Sequence, residues 1–175
     1  MTVLIRHATD QDHAVLEEIE RAADILLTDR FGAEDWPPPS TADDRRRAEG
    51  FVMVATCSPT AEPAGGHDEV PVGFVQVLEG PGYAHLEQLS VHPASGRRGI
   101  GRALVLAAQN ESRRRGRTQL TLRTYADVPW NAPFYFRCGF TESTPDTDFL
   151  RELVAVEERL GLTRYGRRIQ MTAAL

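Results

Sequence analysis

One junction between a strand-like and a helix-like segment, "VHPASGRRGIGRALV" (residues 91–105), constrains the fold more than any other stretch of the chain. Glycines at the start of a helix let an oxygen-rich group approach the first N–H groups, which have no partner within the helix. The helix dipole and three nearby arginines favour negative charge at the same place. The stretch therefore predicts an anion site at the start of a long helix, and a tight turn with solvated arginines is the alternative.

Two common phosphate-binding motifs do not fit this stretch. No lysine follows the glycines, as G-x-x-x-x-G-K-S/T would require. The triplet "GIG" is followed by Arg102, Ala103 and Leu104, so the third glycine of G-x-G-x-x-G is missing. Neither a P-loop nor a dinucleotide fingerprint is therefore predicted.

Strand and helix signals alternate along the chain. Alternating and β-branched residues predict strands at 3–8, 51–55, 70–78, 84–91, 118–125 and 166–173. Helical spacing of apolar residues predicts helices after an N-cap at Thr9, from Gly99 to about Gly116, and over "TDFLRELVAVEERLG". The segment "TADDRRRAEG" predicts a short exposed helix, and "SPTAEPAGGHDE" predicts a mobile hairpin loop. The order of these elements predicts an α/β domain with a mixed sheet.

Charge and apolar patterning exclude several functional classes. The 175 residues carry a net charge of −5, which gives no support to a general nucleic-acid-binding role. The longest apolar run, "ALVLAA", is far shorter than the ~20 residues of a membrane-spanning helix. The start "MTVLIRHATD" lacks the layout of a signal peptide. Cys57 and Cys138 match no metal-ligand spacing, so we expect reduced thiols, no metal site, no membrane contact and a cytoplasmic location.

Two blocks of sequence resemble the GNAT superfamily of acyl-CoA N-acyltransferases. The first, "LSVHPASGRRGIGRALV", is similar to a strand ending in V-x-P followed by Q/R-x-x-G-x-G/A at the start of a long helix. The second, "NAPFYFRCGF" (residues 131–140), resembles the N-x-x-A/P-x-x-F/Y-Y-x-x-x-G-F region of that family. The resemblance is firm over about 72–140, and one position departs from it, because the leading Gln or Arg of the first block falls at Gly96.

The resemblance implies a fold and a ligand. The fold would be a single domain over residues 1–175, with a mixed central sheet of about six to seven strands flanked by helices. A V-shaped split between the two central strands would form beside a bulge in the strand that carries "EQLSV". The acyl-CoA-binding core would span about 72–140, and helices at about 10–48 would shape the acceptor site.

The resemblance also implies which residues bind acetyl-CoA. The pantetheine arm would enter the split and hydrogen-bond to the backbone of Leu89 and Val91 like an added strand, with Ser90 between them. The pyrophosphate would rest on Arg97, Arg98, Gly99, Ile100, Gly101 and Arg102. Asn131 matches a family position that contacts the pantetheine region.

Acyl transfer to an amine requires a base, because a primary amine with a pKa of ~10 is mostly protonated at neutral pH. Glu87 is the candidate base, directly or through water, and His85 is the second candidate. Strand alternation predicts that both side chains share one face of the sheet with Leu89 and Val91. A solvated or salt-bridged strand residue is the alternative interpretation of Glu87.

The departing thiolate requires a proton. A tyrosine hydroxyl with a pKa of ~10 can protonate or hydrogen-bond a sulfur whose thiol has a pKa of ~8.5. Tyr135 falls at the general-acid position of the family, and a core aromatic residue is the alternative. We expect Cys138 to be structural, because the sequence shows no His–Asp arrangement that would activate it.

These features predict an N-acetyltransferase that moves an acetyl group from acetyl-CoA to a primary amine by direct attack in a ternary complex. Acidic and aromatic residues near the first helix would favour a cationic acceptor: Glu20, Asp24, Glu34, Asp35, Trp36 and Trp130. A solvated helix face and simple packing are the alternatives, and a small metabolite, an antibiotic, an amino acid and a protein N-terminus all stay open as acceptors. A homodimer is possible by analogy with the family. The alternatives are a non-catalytic acyl-CoA-binding or sensing module and a phosphate-binding regulatory domain that does not bind CoA.

Overall fold

The strands form one mixed sheet of seven within a computed structural model that describes residues 2–58 and 70–175. They are β1 (Thr2–His7), β2 (Gly50–Ser58), β3 (Pro71–Gly80), β4 (Tyr83–Val91), β5 (Gln119–Tyr125), β6 (Thr141–Ser143) and β7 (Arg168–Ala174). Their order across the sheet is β1-β2-β3-β4-β5-β7-β6. The pairing of β4 with β5 is parallel and the other pairings are antiparallel, so the predicted mixed sheet is confirmed.

Helices lie before, between and after these strands. They are α1 (His13–Phe31), α2 (Ala42–Arg47), α3 (Ile100–Arg114), α4 (Ala132–Phe136) and α5 (Asp148–Arg159), with 3₁₀ turns at Pro93–Ser95 and Leu162–Tyr165. No helix in the described part of the chain is long and apolar enough to cross a membrane. The predicted loop "SPTAEPAGGHDE" falls outside the described residues from its second residue onwards.

The predicted N-cap of the first helix is wrong. Helix α1 starts at His13 and its cap position is Asp12, three residues after Thr9. The carboxylate of Asp12 accepts hydrogen bonds from the amide and the hydroxyl of Thr9 and from both terminal nitrogens of Arg6. These bonds hold residues 9–12 as a turn, so the helix begins only after it.

The two faces of the sheet carry separate cores. On one face α3 buries Ile100, Leu104 and Val105 against the central strands. On the other face α1 buries Leu16 and Ile19 against strands β2 and β3. The two layers of helices fix the sheet between them, which leaves its strand ends as the places where ligands can enter.

Candidate active site

The loop before α3 presents free backbone donors. Arg97 has a φ of +61° and Gly99, the N-cap of α3, has a φ of +78° with no side-chain capping bond. The first amide of α3 that donates a backbone hydrogen bond is that of Ala103, and its acceptor is the carbonyl of Gly99. Among the described residues the amides of Ile100, Gly101 and Arg102 have no partner. A left-handed residue followed by a helical one orients successive N–H groups into a concavity that suits an anion.

Beside this loop, strands β4 and β5 separate. They pair at only two positions, His85 with Thr121 and Leu86 with Leu122, although β4 continues to Val91. The predicted split between the central strands is therefore present, and it opens toward the start of α3.

The split exposes the backbone of two predicted residues. The amide of His92 donates to Val72, which makes that pair a hydrogen-bonded one in the antiparallel ladder of β3 and β4. Such pairs alternate, so in this register Leu89 and Val91 point their N–H and C=O groups away from β3, into the split. Their side chains lie beside the first turn of α3, about 4 Å from the position of a Cβ on Gly101.

A bulge at Glu87 confirms the predicted irregularity of β4. Gln88 pairs with Gln76 of β3 and Leu86 pairs with Val77, so Glu87 has no partner on β3. The extra residue reverses the alternation of side chains, which places Leu86, Leu89 and Val91 on the face that packs against α3. The prediction that His85 and Glu87 share a face with Leu89 and Val91 is therefore wrong.

His85 and Glu87 do lie side by side. The Nε2 atom of His85 is 3.8 Å from the Oε2 atom of Glu87. The imidazole is buried, and burial and the nearby cation of Arg123 lower the pKa of His85 to about 3. The side chain of Glu87 is 42% exposed, and desolvation and the carboxylate of Glu157 raise the pKa of Glu87.

The hydrogen bonds of His85 define its tautomer. Its Nδ1 atom lies 2.8 Å from the hydroxyl oxygen of Thr121, and that hydroxyl donates to the carbonyl of Ala84. Because the Thr121 proton is used, Nδ1 of His85 must be the donor to the Thr121 oxygen. The neutral ring then presents Nε2 as an acceptor toward Glu87.

Helix α4 brings the second sequence block to the start of α3. The ring of Phe134 lies 3.6 Å from the position of a Cβ on Gly101, and the ring of Tyr135 packs edge-on against Phe134 and Phe140. Burial raises the pKa of Tyr135 above its ordinary value, and its hydroxyl makes no hydrogen bond to any described residue. Asn131 occupies the N-cap position of α4 without a side-chain capping bond, which leaves its amide group available.

Carboxyl groups of α1 face the same side of the sheet as Glu87. Glu20 forms a buried ion pair with Arg45 of α2, and the charge of Glu87 is close enough to affect its pKa, which burial raises. Asp24, one helical turn further, lies close to Trp36, and burial raises the pKa of Asp24 to about 6. The predicted exposed helix α2 is thus only partly exposed, because its Arg45 is 3% exposed.

Aromatic rings line this acidic region. Trp36 lies within about 6.4 Å of the rings of Phe31, Tyr125 and Tyr165, which pack on one another. Sequence reasoning named Trp36 but missed the other three, because four positions on separate elements share no local pattern. The other tryptophan, Trp130, lies apart from these rings under the guanidinium of Arg30.

Two features in this region had no sequence signal. Glu157 of α5 binds Arg123 of β5 and Arg168 of β7 through short ion pairs, and all three side chains are largely buried. Phe149 of α5 stacks on Tyr83 and packs edge-on against His85. Helix α5 therefore closes the region behind His85 and Glu87.

Cys57 lies in β2, and Cys138 follows α4, where its amide donates a hydrogen bond to the carbonyl of Tyr135. Both are free thiols, and Cys138 is buried in the core, where burial raises the pKa of its thiol. Over residues 2–58 and 70–175 no three His, Cys, Asp or Glu side chains gather as they would around a metal ion.

The arrangement matches known proteins in sequence and in fold. A family model described as an acetyltransferase (GNAT) domain matches residues 49–142. The PaiA N-acetyltransferase of Thermoplasma acidophilum, solved with coenzyme A, superposes with a TM-score of 0.68 at 17% identity over 100% of both chains. The ribosomal-protein-S18-alanine N-acetyltransferase of Escherichia coli superposes with a TM-score of 0.64 at 20% identity, over 99% of this chain and 94% of that one. Rv2747 of Mycobacterium tuberculosis, solved with CoA and NLQ, superposes with a TM-score of 0.64 at 19% identity, over 98% of this chain and 99% of that one.

Proposed function

The chain belongs to the GNAT acetyltransferase family, and from this premise we propose that it moves an acetyl group from acetyl-CoA to a primary amine in a ternary complex. One observation carries the proposal. The unpartnered amides at the start of α3 lie beside a split in the sheet, into which Leu89 and Val91 direct their backbone groups. Donors for a pyrophosphate and a strand-like edge for a pantetheine arm are therefore adjacent.

Acetyl-CoA would lie along this edge as an added strand. Its amide groups would pair with the backbone of Leu89 and Val91, on either side of Ser90. Its pyrophosphate would accept hydrogen bonds from the amides of the α3 start, with Arg97, Arg98 and Arg102 adding positive charge and Asn131 facing the pantetheine. The glycine at 96, where the family has Gln or Arg, is compatible with this mode because backbone donors supply most of the contacts.

Glu87 is the base of the proposed reaction. An amine must lose a proton before its lone pair can attack the thioester carbon, and a base is most effective when its pKa lies near the working pH. Desolvation raises the pKa of Glu87 toward that range, whereas burial lowers the pKa of His85 to about 3 and makes the imidazole a poor base. His85 would instead hold a fixed acceptor, Nε2, beside the carboxyl group.

Tyr135 is the acid of the proposed reaction. As the new C–N bond forms and the C–S bond breaks, the electron pair of that bond moves to sulfur, which then takes a proton. A buried tyrosine with a raised pKa stays protonated at neutral pH and can donate to a thiolate. The nitrogen of the protonated amine loses two protons, one before it attacks and one after the C–N bond has formed, and Glu87 passes both to solvent. Tyr135 gives one proton to sulfur and regains one from solvent, so each turnover releases one proton net.

The acceptor would be a cation in its free form. Glu87, Asp24 and the rings around Trp36 lie on the side of the sheet opposite α3, where an amine could approach. Carboxylates attract an ammonium group and an aromatic face stabilises it further. We propose cationic amines as the acceptor class on this ground.

Two measurements test the proposed function. Thermal unfolding with acetyl-CoA, CoA and ATP should show stabilisation by both CoA ligands, about 2.7 kcal/mol at 100 times the dissociation constant. Thiol release over a panel of amines should depend on both substrates and fall in Tyr135→Phe. Stabilisation by ATP but not by CoA would indicate a phosphate-binding domain, and CoA binding without thiol release from any amine would indicate an acyl-CoA-binding module.

A further inference from the structure

A cavity lies where β2 and β3 meet the start of α1, α2 and the end of α3. Its volume is about 350 Å³, and it opens where β1 ends and leaves the start of β2 uncovered. His7, His13, Arg45, Arg46, Gln76 and Arg115 contribute the polar part of its wall. Arg115 follows the last turn of α3, whereas the anion loop precedes the first turn, so about 22 Å of helix separates Arg115 from the anion loop.

Basic residues predominate in the wall of this cavity, and several of them have acidic partners: Arg45 pairs with Glu20, Arg115 pairs with Glu79 and Glu111, and His7 lies near Glu111. Three arginines and two histidines line it, and Asp10 is the acid among the lining residues. The start of α1 lies in the same wall. Its first turn carries no acidic residue, and the carboxylate of its N-cap residue, Asp12, is taken up by hydrogen bonds from Arg6 and Thr9. Burial, followed by the charge of Arg46, lowers the pKa of His13.

The wall also holds hydrogen-bonding groups that the described chain does not use. Gln76 is 5% exposed, and its side chain makes no hydrogen bond to any described residue. The Nδ1 atom of His13 and the Nε atom of Arg45 are buried without partners. Buried polar groups in native proteins are normally paired, so the unused side-chain amide of Gln76 in the cavity wall points to a ligand.

Arg46 is the side chain best placed to meet such a ligand. Its guanidinium donates to Asp43 on its own helix and to the carbonyl of Asp10, and its side chain is 38% exposed. A surface pair of this kind contributes little stability, so the guanidinium can exchange Asp43 for a bound anion at small cost.

We propose that this cavity binds a small molecule through a carboxylate or phosphate group held by Arg46 at the start of α1. The amide of Gln76 supplies a further donor, and Phe51 and Ala48 give an apolar wall for the body of the ligand. A volume of about 350 Å³ is within the range of small-molecule sites. The site is separate from the proposed acetyl-CoA site and does not depend on it.

Titration of the ¹⁵N-labelled full chain tests the site, with sodium phosphate in one arm and citrate in the other, at constant ionic strength. We expect saturable shifts of the amides at 10–13 and 46–50, and the arm with the lower dissociation constant identifies the anion. Arg46→Gln should weaken that binding about tenfold. Arg47→Gln removes the same charge one residue further along α2 and outside the cavity wall, so it should leave binding unchanged.

Three outcomes would overturn the proposal. Shifts that rise without saturation would show general salt effects, and shifts confined to 97–102 would show that the anion binds only at the start of α3. Equal weakening by the two arginine variants would show that net charge rather than the cavity controls binding. Both variants alter exposed or half-exposed side chains, and their amide spectra without ligand report whether each is folded.

Discussion

The Nε2 atom of His85 lies 3.8 Å from the Oε2 atom of Glu87, with the histidine buried and the carboxyl group partly open. Thr121 uses its proton on the carbonyl of Ala84, so His85 donates from Nδ1 and keeps Nε2 as an acceptor. The carboxyl group next to it is the extra residue of the β4 bulge. The bulge therefore places Glu87 beside an imidazole that has a hydrogen-bond acceptor and, because its pKa is lowered to about 3, stays neutral at pH 7.

Glu87→Gln is expected to lower kcat about 100-fold, because an amide cannot accept the amine proton. In the wild type, kcat/KM should fall as the pH decreases through the raised pKa of Glu87, since the protonated carboxyl group is inactive as a base. The variant should lack this acidic limb while its dissociation constant for CoA stays unchanged. Glu18→Gln, on the exposed face of α1, is the control. A variant that keeps the wild-type pH profile would contradict the assignment.

Tyr135→Phe is expected to lower kcat about 100-fold without loss of CoA binding, since it removes the proton donor and keeps the ring. The effect should be smaller for thioesters whose thiols are more acidic, because their thiolates leave without protonation. Tyr83→Phe, whose ring stacks on Phe149, is the matched control. Equal losses for all thioesters would favour a packing role for Tyr135.

Arg102→Gln is expected to raise the dissociation constant for CoA about tenfold, because one charge-assisted hydrogen bond to phosphate is lost. Calorimetry with pantetheine, which lacks the pyrophosphate, should show no difference from the wild type. Arg113→Gln, in the last turn of the same helix, removes the same charge as Arg102→Gln and should bind both ligands as the wild type does. Equal weakening toward pantetheine would remove Arg102 from the pyrophosphate site.

His85→Gln is expected to reduce the loss of stability on acidification. The folded protein lowers the pKa of His85 to about 3, whereas the unfolded chain binds a proton near 6.5, so stability is lost as the pH falls below 6.5. Between pH 7 and pH 5 the wild type should lose about 2 kcal/mol more than the variant. The raised pKa of Asp24 acts in the opposite direction, but it is common to both proteins and cancels. Urea unfolding at both pH values measures this difference. An equal loss of unfolding free energy in the wild type and in the variant would refute the prediction.

Asp24→Asn is expected to raise the KM for cationic amines about tenfold and to leave the KM for acetyl-CoA unchanged. At pH 7 a group with a pKa of about 6 is mostly ionised, so the wild-type carboxylate can attract an ammonium group. Asp29→Asn, further along the exposed face of α1, is the control. An equal rise in the KM values of neutral and cationic acceptors would show that Asp24 only positions Trp36.

Sequence reasoning predicted what local patterns encode. The strands, the long helix after Gly99 and the order of the elements follow from periodicity and glycine placement, and the strand split followed from the family resemblance. The position of Glu87 relative to Leu89 could not be predicted from alternation, because a single inserted residue reverses the faces. Contacts such as Glu20 with Arg45, or Glu157 with Arg168, join distant segments and have no local signal.

The two halves of the sheet share only the two residue pairs between β4 and β5. A ligand that occupies the gap completes the hydrogen bonding of an interior strand and ties the β1–β4 half to the β5–β7 half. Ligand binding is therefore expected to protect this seam from proteases. The lifetime of the chain in a cell would then follow the supply of whatever molecule fills the gap.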